Sequence, residues 1–229
     1  MHRQRRTMWD ELILVQKILA SILVGYLLGS IPFAHVAARL NGVDIFATGS
    51  GQAGTANVFW NVGRRIGVLV FVGDIAKGSV AVLVAQLMDI PSPLVLLAGT
   101  AAVMGHWKSI FTGFRGGDGM ATLLGVTITL APVLAAIGIA AGLVVVILRW
   151  RSTMRSAWGI GTCYVAVLAA SLVYDTHFVL VLGLALLAGL VLWHNIVMHR
   201  RLDHYESADI LDENAGADSS MDTTAPQNH

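Results

Sequence analysis

The run from Met120 to Leu148 contains no Asp, Glu, Lys or Arg, and no other feature limits so tightly what this chain can become. It exceeds the ~20 residues that cross a bilayer core untilted. Pro132 divides it, since proline removes a backbone donor and collides with the preceding turn of a helix. The reading is two helices, Met120 to about Leu130 and about Val133 to Leu148, reversing direction between them. Comparable apolar stretches run from about Leu12 to Leu28, Ile66 to Met88, Leu94 to Trp107, Ala157 to Val173 and Phe178 to Val197. A composition 55% hydrophobic and 13% charged, with a mean hydropathy of +0.69, excludes an ordinary soluble domain. The fold class expected is all-α: a polytopic integral membrane protein with about seven transmembrane helices.

Charge sorts along the chain. All 15 Lys and Arg lie at or before Arg201, against seven acids in the same stretch, a formal +8. The remaining seven of the 14 acids follow Arg201, so the tail carries −7. A basic membrane body suits anionic lipid surfaces and phosphorylated substrates, and loop arginines on the cytoplasmic side explain much of it. Residues 1–205 read as the membrane domain. Residues 206–229, acidic and poor in aromatics, read as a disordered tail. Arg3, Arg5 and Arg6 precede the first apolar stretch; with no clear small-residue cleavage site after it, that stretch reads as a membrane helix rather than a secretory signal. The single Cys163 sits in an apolar run, which leaves neither a disulfide framework nor a thiolate metal site.

Three polar features interrupt this apolar plan. Gly49 to Asn57 reads GSGQAGTAN; such a loop is either a plain connector or a cradle in which backbone N–H groups converge on a phosphate. Asp74 and Lys77, within GDIAKG, share one face of an apolar helix. Charges at that depth pair with one another or face a polar cavity. Gly105-His106 then leads through Lys108 and Arg115 into Gly116-Gly117-Asp118-Gly119 at the start of the Met120 helix. A glycine loop at a helix N-terminus favours an anion, while a lone histidine at a helix end is as often a cap or a structural hydrogen-bonding residue. After the Pro-split pair comes a loop with Arg149, Arg151 and Arg155. Seven spans would put these loops on one face, the cytoplasmic one by its basic residues, with the arginine-bearing N-terminus opposite.

The order GSIPFA, GSGQAGTANV, GDIAKG, GH and RGGDGMAT, followed by an arginine/serine loop, resembles the bacterial PlsY-type acyl-phosphate:glycerol-3-phosphate acyltransferase family over roughly Gly25 to Arg201. The resemblance implies a seven-helix enzyme of the bacterial inner membrane, its active-site loops cytoplasmic. It would move an acyl group from acyl phosphate to the first hydroxyl of glycerol 3-phosphate, giving lysophosphatidic acid for phospholipid synthesis. The partners implied are those two substrates and membrane lipids, with no nucleic acid, no cofactor and no metal. By position in the motifs, Ser50 and His106 are the catalytic candidates. Substrate and phosphate binding would fall to Gly49, Gly51, Gly54, Thr55, Asn57, Asp74, Lys77, Gly116, Gly117 and Gly119, and to Asn195 from the loosely matched C-terminal element.

The departures matter as much as the matches. Gln52 stands where the family has Asn, Trp60 where it has an arginine, and Asp118 where it has a lysine. A carboxylate in place of a cation reverses the local field, and a unit charge pair at about 4 Å in a dielectric near 20 is worth ~4 kcal/mol. Arg64, Arg65, Lys108 and Arg115 are the candidate replacements. An alternative reading therefore stands beside the first: a divergent or non-catalytic relative that binds lipid or anion, or one that acylates a different acceptor.

Overall fold

The computed structural model describes residues 8–152, 154–174 and 178–198, and all regular structure among them is helical. Helix α1, Met8–Ser30, opens with Asp10 and Glu11 in its first turn, where carboxylates complement the helix dipole. It stops before Pro32, because the residue ahead of a proline is pushed out of the helical region. The chain resumes as α2, Phe33–Leu40, ended by Asn41, whose Nδ2 donates to Ala37 O at 2.8 Å. Helix α3, Thr55–Asn61, rises directly out of the first glycine loop. Then follow α4 (Arg64–Leu87), α5 (Leu96–Trp107), a 3-10 turn at Ile110–Thr112, α6 (Met120–Leu130), α7 (Pro132–Leu148) and α8 (Arg155–Ser171). Helix α9 spans Phe178–Met198. Pro132 sits in the first turn of α7, the one place where its missing N–H costs nothing.

All seven apolar stretches are helical, within a few residues of the expected limits. The two short helices α2 and α3 are additions, lying where the sequence read as connecting loop. The three basic residues before Met8, the turn residues Asp175, Thr176 and His177, the basic cluster from His199 to His204 and the acidic tail all lie outside the described residues.

Helix α4 is the hub, packing on α1, α3, α5 and α6, while α1 lies along α5 and α7 along α8. The α1–α5 contact depends on Gly25 and Gly29, where a Cβ would run into the backbones of Ala98 and Ala102. One apolar core joins Val82 of α4, Ala98 and Val103 of α5, Leu123 and Val126 of α6, Tyr164 of α8 and Leu184 of α9. Inside it the Thr127 and Tyr164 hydroxyls bond to each other, because a polar group buried among hydrocarbon must find a partner. A second core, of Ala34, Ala38, Ile45, Ala53, Val58 and Val70, anchors the first glycine loop to α2, α3 and α4.

Large apolar side chains also cover the outside. Leu69 of α4, Ile147 of α7 and Leu186 of α9 are 71%, 69% and 67% exposed, a surface that suits lipid and not water. The stretch Met8–Leu40 and helices α4 and α9 are long and apolar enough to cross a bilayer, with α6 and α7 apolar but shorter. The chain is thus an all-α integral membrane protein. It divides into two compact units, Met1–Leu192 and Trp193–His229, and the site that follows lies in the first.

Candidate functional site

The polar centre is built on α4. Lys77 Nζ lies 2.9 Å from Asp74 Oδ1, with the two side chains 3% and 2% exposed. One helical turn between them lets an oppositely charged pair meet on the same face, which is how charge is tolerated at this depth. Lys77 also donates to Ile31 O at 3.2 Å, in the break between α1 and α2, and its ammonium sits 5.9 Å from the centre of the Phe33 ring. From α5, His106 brings Nδ1 to 3.6 Å from the same Asp74 oxygen. The Thr55 hydroxyl, at the first turn of α3, also faces the Asp74 carboxylate. Three helices, α3, α4 and α5, therefore converge on one buried carboxylate, and the break between α1 and α2 holds its lysine partner.

The two glycine loops meet beside it. Ala53 N donates to Gly116 O at 3.1 Å, and Gly117 N to His106 O at 3.2 Å. Gly117 is the joint: a Cβ there would stand 2.5 Å from His106 Nε2 and 2.6 Å from Ala53 O. The end of α5 is tied down at Trp107, whose Nε1 donates to Asp118 O at 2.8 Å, and at Ser109, whose hydroxyl donates to Ser30 O at 2.5 Å. Gly119 takes a left-handed φ of 82° so that α6 can begin.

The first loop spends many of its polar groups on itself and its flanks. Asn57 Nδ2 donates to Ile45 O, Thr48 O and Gln52 O at 3.2, 2.9 and 2.9 Å, and its Oδ1 accepts from Asn61 Nδ2 at 2.8 Å. The N–H groups of Gly51 and Gly54 donate to Thr48 O and Gln52 O, while Gly49 and Gly51 turn the chain at φ of 56° and 63°. Asn57 is a staple, and Gly49, Gly51 and Gly54 shape the turn it closes. Ser50 is half-buried in this loop and lines neither cavity described next.

A small polar cavity of about 10 Å³ is lined by Asp74, Lys77, His106, Ser109, Arg115 and Gly116, among others; that is room for roughly one water. A far larger one, about 870 Å³, runs between α3, α4 and α6 on one side and α7 and α8 on the other. Its wall is almost wholly apolar, including Phe71, Leu124, Ile139, Leu143, Val146 and Ile160. Polar groups gather at the loop end, where Thr55, Asp118, Arg155 and Ser156 also line it. Thr55 belongs to both places: it forms part of the large cavity's wall and it faces Asp74.

Asp118 does not stand free at that mouth. Its Oδ1 accepts from Met120 N at 3.0 Å, so a side-chain carboxylate occupies the start of α6, where an anion is favoured. Of the cations expected to compensate, Arg115 lies over the Phe46 ring with Cζ 4.0 Å from its centre, beside the small polar cavity. Arg64 and Arg65 open α4 and line neither cavity, nor does Lys108. Arg155 is the cation that the sequence did not single out, and Ser30 and Ser109 went equally unmarked. Asn195 falls in the second unit, so its place in a site remains the expectation its motif gives it.

Comparisons with known proteins bear on the family of the chain. Residues 19–203 match a family model described as glycerol-3-phosphate acyltransferase. The chain is similar to a glycerol-3-phosphate acyltransferase of Roseiflexus sp. (strain RS-1), 38% identical over 185 residues that cover 80% of this chain and 90% of the relative. A relative of the same description from Geobacter sulfurreducens is 46% identical over 123 residues, 53% of this chain and 63% of that protein. Among solved structures it resembles PlsY, an integral membrane glycerol 3-phosphate acyltransferase. The glycerol 3-phosphate form aligns with a TM-score of 0.67 at 32% identity, covering 84% of this chain and 92% of the other. The lysophosphatidic acid form aligns at 0.65 and 30%, with the same coverage.

Proposed function

The chain belongs to the glycerol-3-phosphate acyltransferase family, and from that premise we propose that it transfers an acyl group from acyl phosphate to the sn-1 hydroxyl of glycerol 3-phosphate. Lysophosphatidic acid and inorganic phosphate are the products. The setting is the bacterial inner membrane, with the three polar loops facing the cytoplasm. One observation carries the reading: an apolar slot of about 870 Å³ ends at Thr55, which faces the buried Asp74–Lys77–His106 cluster. A long acyl chain fits the slot, and its activated carbonyl would then lie at the polar end.

At that end the acceptor hydroxyl attacks the carbonyl carbon. A carbon–oxygen bond forms to the acceptor, the bond from that carbon to the phosphate oxygen breaks, and the hydroxyl proton ends on the departing phosphate. Holding the two reactants in register supplies most of what such a step needs, so no covalent acyl-enzyme is required. Asp74, paired with Lys77, keeps the Thr55 and His106 walls fixed. Ser50 is assigned by its motif to donate to the phosphate or the developing oxyanion.

A second reading rests on Asp118. Its carboxylate already fills the anion-favouring start of α6, which would suit an acceptor with no phosphate. The test is direct: purified protein is supplied with acyl phosphate and labelled glycerol 3-phosphate, and lysophosphatidic acid is measured against a heat-killed control. Product above the control supports the first reading. No product with glycerol 3-phosphate, but an acylated product with glycerol, supports the second.

A further inference from the structure

The large cavity carries one cation among its described lining residues, Arg155, and one carboxylate, Asp118. The carboxylate is bonded to the start of α6. The guanidinium is held differently. Arg155 Nη1 donates to Trp150 O at 2.9 Å, and Arg155 Cζ lies 5.0 Å from the centre of the Trp60 ring. Trp60 is itself braced edge-on by Phe59, the ring centres 5.0 Å apart.

The neighbouring arginines are used elsewhere, Arg149 over Trp158 and Arg151 over Trp150, and neither lines the cavity. A guanidinium placed over an aromatic face keeps its charge and its hydrogen-bond donors. Only one of the five N–H donors is taken by Trp150. The rest of the fork is available at the one end of the slot where polar groups collect. An occupant suited to this cavity has a long apolar chain and an anionic head, and planar bidentate recognition of phosphate is what arginine does best.

We propose that Arg155, positioned on the Trp60 ring, binds the phosphate head of the amphiphile whose chain fills the apolar slot, and so selects the acyl donor. The donor's identity as acyl phosphate rests on the function proposed above; the class of ligand, an anionic single-chain amphiphile, follows from the cavity itself. Arg155 is the specificity-determining residue, and Trp60 acts through it.

Dodecyl phosphate, which cannot react, and dodecanol, which lacks the charge, separate head from chain. Affinities of both are measured for the full chain in lipid nanodiscs. Arg155→Ala weakens dodecyl phosphate binding by about tenfold or more, as the loss of a charge-assisted hydrogen bond would, and leaves dodecanol within about twofold. Arg155→Lys keeps part of the affinity, as a point charge without the fork. Trp60→Phe keeps most of it and Trp60→Leu does not. Moving the charge across the mouth, in the double variant Trp60→Arg/Arg155→Ala, restores binding, which a purely structural loss would not allow. In steady state, the Arg155→Ala KM rises for acyl phosphate and holds for glycerol 3-phosphate.

Unchanged dodecyl phosphate affinity in Arg155→Ala, or equal loss of both probes in Arg155→Ala and Arg155→Lys with no recovery in the double variant, overturns the inference. A wild-type protein that makes lysophosphatidic acid beside such variants keeps the proposed function and loses this one. A wild-type protein that binds dodecyl phosphate through Arg155 yet makes no product does the reverse.

Discussion

Asp74 Oδ1 stands between two basic side chains, 2.9 Å from Lys77 Nζ and 3.6 Å from His106 Nδ1, with all three residues buried. Removing one member of such a group strands charge where solvent cannot reach. Lys77→Met should therefore destabilise the protein by about 3–5 kcal/mol. The double variant Asp74→Leu/Lys77→Met removes both charges and should recover most of that loss while staying inactive. Thermal unfolding in detergent, run beside the acyl-transfer assay, separates the two effects. If the double variant is as unstable as the single one, the pair is not what makes Lys77 necessary.

Asn57 gives a cleaner contrast between motif and geometry. Its amide closes the first glycine loop on three backbone carbonyls. Asn57→Ala leaves these acceptors, two of them in buried bonds, without their partner, at a cost of roughly 1–3 kcal/mol. The loop would then lose its register against Gly116, so activity should fall together with stability. Asn57→Asp keeps the shape but replaces the donating amide by an acceptor, and it should be at least as damaging. A variant with normal melting and a raised KM alone would show that Asn57 touches substrate instead.

Most of the fold is visible in the sequence because hydrocarbon immersion leaves a coarse mark: long apolar runs with little or no charge, separated by short segments that carry glycine, proline or charged residues. Helices α2 and α3 escape that reading. Each is too short to span a bilayer, and each lies among glycines and polar residues that read as loop. The Ile31–Pro32 break, followed by Ala34 and Ala38 one turn apart and both buried, was the available signal for α2. In the site, Asp74, Lys77 and His106 stand out because a charge inside an apolar helix demands a partner. The pairing of Arg155 with Trp60 has no such mark. It depends on two distant segments arriving at one cavity mouth, and no local spacing encodes that. The first glycine loop shows the opposite failure, since its composition suits a phosphate cradle while Asn57 and the loop's own carbonyls engage much of it.

Asp118 offers the test of which acceptor the mouth prefers. A unit charge pair there is worth ~4 kcal/mol at about 4 Å in a dielectric near 20, so Asp118→Lys should change the response to glycerol 3-phosphate strongly. The substitution also removes the acceptor for Met120 N. Asp118→Asn is the control, since its side-chain oxygen keeps that bond without the charge. If Asp118→Asn and Asp118→Lys both lower the KM for glycerol 3-phosphate, the native carboxylate opposes a phosphorylated acceptor. If both lower kcat, the carboxylate belongs to a working site as it stands.

The apolar slot should measure the acyl chain. Ile139 and Ile147 both line it on α7, roughly 12 Å apart along the helix at about 1.5 Å per residue. Trp150 and Arg155 continue from the Ile147 end to the polar mouth, so Ile139 marks the deep end. Ile139→Trp adds bulk far from the reacting atoms, against Leu124 and Ile160 of the same wall. Long-chain acyl phosphates should then lose at least about tenfold in kcat/KM, the scale on which one or two displaced methylenes count in an apolar pocket. Short-chain donors should be used as before, and the KM for glycerol 3-phosphate should stay put. Ile139→Ala should shift the preference towards longer chains. A uniform loss across all chain lengths would mean that this cavity does not hold the chain, and the assignment of donor to slot would fail with it.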